Sequence, residues 1–449
     1  MSRDFDFVVI GASVGGLSAA ACLARDGARV LVAEQALAPP EPPGALFALD
    51  PVMVTDLKLA QHGLAFMQRD LALTGWDDEA PPLTLPRERR AAERAIAQRS
   101  ETDAEAWGAY QAALAAQARV LRRWWSRPER DGRAAELFWR PAARARFERL
   151  CVTGAADWLA RHFESPQLIG MLLHDALTGG FAPAEPGSAL ALVWRAAQEM
   201  SGQPGMVSLA VPGTLMAALR RACGAVVEPG RMVAEILTAR GQAAGVRLED
   251  GETVSARAVL SSLPRGPSER LAGLDRPSED SMVGAARIVF TLGDGVALPV
   301  ELKTGRCVLA LPPEDCADAH EAARAGRLPP LPPFEVVAET PRRLAVTLPL
   351  MPVSPDGGWP ALEAPLAAAL VKRLSRHVPG LAQSLTGVSV TRPKARPRAS
   401  LAQLLAPAHE RALSRVPGLY LCGEDAEPVP CVSGRAGRFA AHFAARTIR

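Results

Sequence analysis

Apolar and polar positions recur with two periods along this chain, and the switches between them mark its elements. Phe5–Ile10 is a short apolar, β-branched run, Leu17–Arg25 is alanine-rich with helical spacing, and Ala28–Ala33 is a second strand-like run ending at Glu34. Gly11–Gly16 is the glycine-rich turn between strand and helix, and Gly27 suits the helix C-terminus. The pattern predicts one βαβ unit.

Beyond Glu34, Pro39, Pro40, Pro42 and Pro43 predict an extended connection, and residues 46–73 carry moderately apolar segments around a loop at His62 and Gly63. Ser100–Arg123 has helical periodicity, with Ser100 or Thr102 as its cap. Ser165-Pro166 opens the apolar QLIGMLLHDAL, and a turn at Gly179–Phe181 leads to a second helix over roughly Gly187–Met200. His174, alone on an apolar face, reads as a hydrogen-bonded core histidine.

From Val211 the turn VPGT opens a helix over Leu215–Cys223. Strand-like runs follow at Ala225–Glu228, Met232–Ala239, Ala243–Leu248 and Thr253–Ala256, with hairpin turns at Arg240-Gly241 and Asp250-Gly251. Arg257–Ser262 then runs apolar, as a buried strand does. This predicts a helix, a short antiparallel meander and one further parallel strand. Ala286–Leu292, Cys307–Leu311 and Leu344–Pro349 are further strand-like runs, and the chain closes with a strand at Leu419–Cys422, a turn at Gly423 and a helix over Gly434–Ala445.

The first unit carries chemistry. Its turn reads Gly11-Ala-Ser13-Val-Gly15-Gly16, close to the fingerprint G-x-G-x-x-G, and Glu34 stands where a ribose-binding carboxylate belongs. Gly11 permits the tight turn, Gly16 lets helix and strand approach, and the N–H groups at the helix start suit a pyrophosphate. Ser13 replaces the middle glycine, so its side chain either weakens dinucleotide binding or adds a hydrogen bond to phosphate. A βαβ unit that binds nothing is the competing reading.

Composition narrows the classes. The 449 residues carry a net charge of +3 and are 48% hydrophobic, which does not point to nucleic acid. No stretch has the length of a membrane span, and Asp4 and Asp6 argue against a secretory signal, so a cytoplasmic chain is expected. The seven cysteines show neither C-x-x-C pairs nor metal-ligand spacing, and none lies between Cys22 and Cys151, which argues against dithiol chemistry. Arg119–Arg149 holds ten arginines against four acids, interleaved with Trp124, Trp125, Phe138, Trp139 and Phe147. It reads either as a peripheral contact with an anionic membrane or as a solvated helix pair with inward aromatics. The second is favoured, because Pro128 and Gly132 interrupt any single amphipathic face.

Three blocks together resemble the phytoene desaturase-like FAD-dependent oxidoreductases, the group of carotenoid desaturases and their broader relatives. They are VVIGASVGGLSAAACLARDGARVLVAEQ, VPGTLMAALRRACGAVVEPGRMVAEILTARGQAAGVRLEDGETVSARAVLSSLP and VPGLYLCGEDAEPVPCVSGRAGRFAAHFAA. The resemblance implies an α/β fold of glutathione-reductase-like architecture. A discontinuous FAD-binding Rossmann domain (1–60, 206–275 and 401–449) would accompany an α+β substrate domain (61–205 and 276–400). It implies FAD as cofactor, held by Gly11, Ser13, Gly15, Gly16, Glu34, Val233, Gly423, Glu424, Asp425 and Gly434, with the last helix aimed N-terminus first at the isoalloxazine.

The chemistry implied is hydride transfer from an apolar small-molecule substrate to flavin N5, with oxygen or a quinone taking the electrons and no catalytic acid or base assigned. The chain departs from the family pattern at Ser13, in the proline-rich stretch after Glu34, and in the bulky turn Glu424–Cys431. A flavin-free partner protein on the same fold therefore stays open. An amine oxidase-like enzyme does too, although the two tyrosines, Tyr110 and Tyr420, are few for an aromatic cage.

Overall fold

The computed structural model describes residues 3–35, 43–78, 80–126, 141–200, 206–274, 281–394, 400–429 and 431–447, and leaves out the side chains of residues 69, 123, 124 and 126. Five strands form a wholly parallel sheet: β1 (Phe7–Ile10), β2 (Val30–Glu34), β3 (Val226–Pro229), β4 (Ala258–Ser261) and β5 (Leu419–Leu421). Their spatial order is β5-β4-β1-β2-β3. Four helices frame the site and the cavity: α1 (Val14–Arg25), α2 (Glu101–Ser126), α3 (Ala189–Glu199) and α4 (Arg435–Thr447).

The sequence FVVI of β1 is buried at every position because both faces of the sheet are covered. Phe7 and Val9 pack with α1 and α4 on one side, and Val8 and Ile10 pack against the meander on the other. The meander comprises Val233–Ala239, Gln242–Leu248 and Thr253–Ser255, and Arg3–Asp4 adds a short parallel pairing to its last strand. One expectation is corrected here. The run after Gly224 does not belong to the meander but forms β3, the outer strand beside β2, with Val32 opposite Val227. Gly230, at φ +72°, then turns the chain out of the parallel sheet.

A second body is built on a seven-stranded mixed sheet, whose order along the sheet is 385–391, 283–292, 343–352, 335–340, 305–309, 72–76 and 83–85. Its core also takes in α2, α3 and the helix Pro166–Leu173. Ser100 caps α2, its hydroxyl accepting from Asp103 N at 3.0 Å, and Ser165 caps the helix at Pro166. Within Arg119–Arg149, residues 127–140 lie outside the described set, including Pro128, Gly132, Phe138 and Trp139. Trp125 and Phe147 are buried, and Trp125 Nε1 donates to the Leu404 carbonyl at 2.6 Å. Among the described residues no helix is long and apolar enough to cross a membrane. All seven cysteines are free thiols, and five of them are buried.

A small sheet of Ala45–Phe47, Met206–Leu209 and Phe66–Arg69 joins the two bodies. Leu46, Val207 and Leu209 belong to the core of the parallel-sheet body, whereas Met206 packs against Val337 of the large sheet. Glu339, 1% exposed, fixes this junction. Its carboxylate accepts from the backbone N–H of Gly44, from Ala45 N at 3.3 Å, and from Arg287 Nη2 and Arg343 Nε at 2.7 Å each. Removing the carboxylate would strand two arginines and two backbone donors. Glu339→Ala is expected to lose about 3 kcal/mol of stability, seen as a lower denaturant midpoint. An unchanged midpoint would show that the junction is held by apolar packing alone.

Candidate functional site

The parallel sheet has a point where its winding reverses. From β1 the chain moves outward to β2 and β3, then returns to the other side of β1 for β4 and β5. Ile10, Ser261 and Leu421 lie side by side in register at the carboxyl ends of β1, β4 and β5. In open α/β sheets, ligands bind in the crevice outside such a reversal.

The start of α1 sits there. Gly11, at φ +86°, donates its N–H to the Ala33 carbonyl at 2.8 Å, and the Ser262 hydroxyl donates to the Gly11 carbonyl at 3.2 Å. A Cβ on Gly16 would overlap the Gly11 carbonyl oxygen, and one on Gly15 would overlap that of Cys422. Gly15 is thus required by close contact with the C-terminal block. Ser13 caps α1, its hydroxyl accepting from Gly16 N at 3.2 Å, while Val14 and Gly15 keep first-turn N–H groups with no acceptor inside the helix. Glu34 Oε2 accepts from Ala12 N at 2.5 Å, which brings the end of β2 to the same turn. Val233 lies just beyond: Arg231 N donates to the Glu34 carbonyl at 2.9 Å, and Val233 packs with Val8, Ile10, Leu31 and Ala33.

The C-terminal block forms the opposite rim. A Cβ on Gly423 would come 2.5 Å from the Ser262 carbonyl oxygen. Glu424 and Asp425 occupy a single 3-10 turn, in which the Asp425 carbonyl accepts from Gln403 Nε2 at 3.3 Å. Gly434, at φ +76°, accepts from the Ser18 hydroxyl at 2.9 Å and so ties the entry of α4 to α1. At the start of α4, which the resemblance aims at a flavin, two of the first-turn donors are met by the chain itself. The carboxylate of Glu427, itself 1% exposed, accepts from Ala436 N at 3.1 Å and from the Ser433 hydroxyl, which in turn accepts from Arg435 N at 2.9 Å. The chain's own carboxylate satisfies donors that burial would otherwise leave unpaired. Nearby, burial lowers the Arg411 guanidinium to about 10, opposed by Glu427.

These atoms fit one half of an FAD. The first-turn donors of α1 suit a diphosphate, and the Glu34 carboxylate suits a ribose diol. At the other half, two of the corresponding donors of α4, Arg435 N and Ala436 N, are already bonded within the chain. Tyr420 lies in β5 with its hydroxyl 2.7 Å from Thr447 Oγ1, and Tyr110 lies in α2, so neither tyrosine stands at the start of α4.

A cavity of about 300 Å³ lies in the second body, walled by Trp107, Tyr110 and Leu114 of α2, Leu192 and Arg195 of α3, and Arg306 of the large sheet. Its floor is a buried ion cluster. Arg306 grips Asp175 with both nitrogens at 2.8 Å and reaches Glu335 at 2.6 Å, and Arg195 Nε lies 3.0 Å from Asp175 Oδ2. Burial would raise the Asp175 carboxyl, but Arg195 and Arg306 outweigh it and hold it below the usual range. Burial lowers the Arg195 guanidinium, helped by Arg306 and opposed by Asp175. Periodicity and motif spacing do not reveal this cluster. Its one signal in the sequence is a lone charge inside an apolar run, as in ALALVWRAAQE and GRCVL.

No family model matches the chain. Its fold is that of the FAD-binding oxidoreductases. It is similar over its whole length to mouse pyridine nucleotide-disulfide oxidoreductase domain-containing protein 2, at 28% identity and spanning 94% of that protein, and to its rat counterpart at 27%. Among solved structures, an oxidoreductase from Methanosarcina mazei superimposes with a TM-score of 0.59 at 14% identity, covering 98% of this chain and 99% of that one. Putrescine oxidase bound to putrescine gives 0.58 at 13% over 100% of both chains. A geranylgeranyl bacteriochlorophyll reductase-like protein from Thermoplasma acidophilum gives 0.52 at 14%, covering all of this chain and 79% of that one.

His174 adjoins the ion cluster. Burial pushes its imidazole from 6.5 down to about 4, against the pull of Glu335 and Asp175, so it is neutral in the folded chain. Between those two pH values the unfolded chain takes up a proton that the native chain refuses. Stability therefore falls as pH drops from 6.5 to 4, by up to about 3 kcal/mol. Denaturant midpoints followed through this window should fall more steeply for the native sequence than for His174→Asn, and parallel curves would contradict the assignment.

Proposed function

We propose that this protein is an FAD-dependent oxidoreductase. One observation carries the reading: first-turn N–H groups and an acidic strand end converge at the reversal point of a parallel sheet, between Gly11, Glu34 and Ser262. Glu34 binds the ribose, the α1 N-terminus receives the diphosphate, Ser13 holds that turn in place, and Gly423, Glu424, Asp425 and Gly434 border the remainder. Bound there, a flavin would supply an acceptor for a hydride from a substrate carbon. The chain orients that carbon and keeps water from it. The leucines of the cavity between α2 and α3 suit the apolar part of a substrate, and its charged residues, Arg87, Asp175, Arg195, Glu199 and Arg306, suit a polar part.

A second reading has its own support. The start of α4 is capped by Glu427 and that of α1 by Ser13, so the chain satisfies by itself donors that a flavin nucleotide would take. A flavin-free partner protein would need both caps and no cofactor.

A visible spectrum separates the two. Oxidised flavin absorbs at about 370 and 450 nm, and those bands should stay with the purified protein through desalting, or return on adding FAD. Glu34→Ala should then raise the Kd for FAD about tenfold or more, as expected for losing charge-assisted hydrogen bonds. A colourless chain that does not retain added FAD would favour the partner reading.

A further inference from the structure

We propose that the strand Leu385–Thr391, at one edge of the seven-stranded sheet, pairs antiparallel with the same strand of a second copy of this chain, so that the two large sheets become one. The pairing involves the second body alone and is independent of any cofactor.

A sheet edge presents unpaired backbone groups, and chains blunt such edges with short strands, charges, prolines or bulges. Every other sheet edge among the described residues is blunted in one of these ways. Arg3–Asp4, Ala45–Phe47, Leu83–Leu85 and Leu419–Leu421 are two or three residues long, and Pro82 and Pro86 flank the third of them. β3 ends in Glu228 and Pro229, Val233–Ala239 carries Glu235 and two breaks of register, and Phe66–Arg69 carries one break and an arginine. Leu385–Thr391 reads LTGVSVT, with neither charge nor proline. A bulge at Thr386 interrupts it, and beyond the bulge Gly387–Thr391 pairs residue for residue with 287–291. On its outer side no backbone N–H or C=O of this run has a partner among the described residues.

Side chains and charge select a second copy as the occupant. Val388 stands opposite Phe290, and Val390 opposite Ile288. Both of those neighbours are fully buried, yet Val388 is 44% exposed, so the apolar face of the sheet runs one strand beyond its cover. A copy turned about a two-fold axis through Ser389, perpendicular to the sheet, keeps that face on the same side. It sets Val388 opposite the second copy's Val390, a β-branched pair of the kind that stabilises a ladder. The ends of the strand differ in sign. Arg392 follows Thr391 and is more exposed than its partner Glu363, and Lys394 is exposed two residues on. At the other end Gly293 approaches Thr386, and the next residue, Asp294, is more exposed than its partner Arg342. Antiparallel pairing brings the Arg392 end of each copy to the Asp294 end of the other, whereas parallel pairing would set like charges side by side.

Sedimentation velocity on the purified full chain, followed over about a hundredfold range of concentration, tests this. A species of twice the single-chain mass is expected to grow with concentration. Val388→Lys should raise its dissociation constant about tenfold or more, because the pairing would bury the lysine. Val300→Lys makes the same change at another exposed valine, away from this edge, and should leave the dimer unaltered. Deuterium exchange on the native sequence needs no variant. Amides within Gly387–Thr391 should exchange more slowly as concentration rises, and those of the Val233–Ala239 edge should not. A single-chain mass at every concentration, a dimer weakened equally by the two substitutions, or exchange at 387–391 that ignores concentration would overturn the proposal.

Discussion

The structure depends on how closely three stretches of backbone meet at the end of the parallel sheet. The first turn of α1 is pressed between the Cys422 carbonyl on one side and the Gly11 carbonyl on the other, and Gly437 of α4 approaches it so nearly that any Cβ there would overlap Gly15. Side chains cannot intervene at such distances, so glycine is the only residue that fits. Segments from opposite ends of the chain are thereby locked into one rim, and the order of strands around β1 brings them there. Everything that could bind a nucleotide hangs from this contact.

The parts of this arrangement legible in the sequence are those whose cause is local. The strand FVVI, the glycine turn, the helix and Glu34 follow one another within a single βαβ unit, and periodicity alone assigns them. Caps such as Ser165 before Pro166 are equally local. Periodicity misplaces the run at Val226–Pro229 because what decides its sheet is its partner, β2, far earlier in the chain. Asp175, Arg195 and Arg306 are illegible for the same reason: each is an isolated charge in its own segment, and only folding turns three isolated charges into a cluster. Gly15 is legible as a glycine of the turn, but its contact with Cys422 is not.

Two positions depart from a plain nucleotide-binding frame in the same manner. Ser13 offers its hydroxyl to Gly16, and Glu427 offers its carboxylate to Ala436. In both cases a helix start that would expose donors is closed with an oxygen from the chain. The closure at α1 is partial, because a hydroxyl satisfies one N–H and leaves its neighbours. At α4 it is stronger, since a buried carboxylate brings a full negative charge to the positive end of the helix.

The thiols carry a consequence of another kind. Burial pushes Cys22 up to about 11 and Cys316 up to about 12, and it raises Cys223, Cys307 and Cys422 as well. At neutral pH their reactive thiolate is scarce in the folded chain and recovers its ordinary share only when a segment opens. Cys422 reports from the rim at the end of the parallel sheet and Cys22 from the far end of α1 in the same body, Cys307 and Cys316 from the body that holds the cavity. The protein therefore has a clock in each half, and the rate at which each thiol is alkylated measures how often that half breathes.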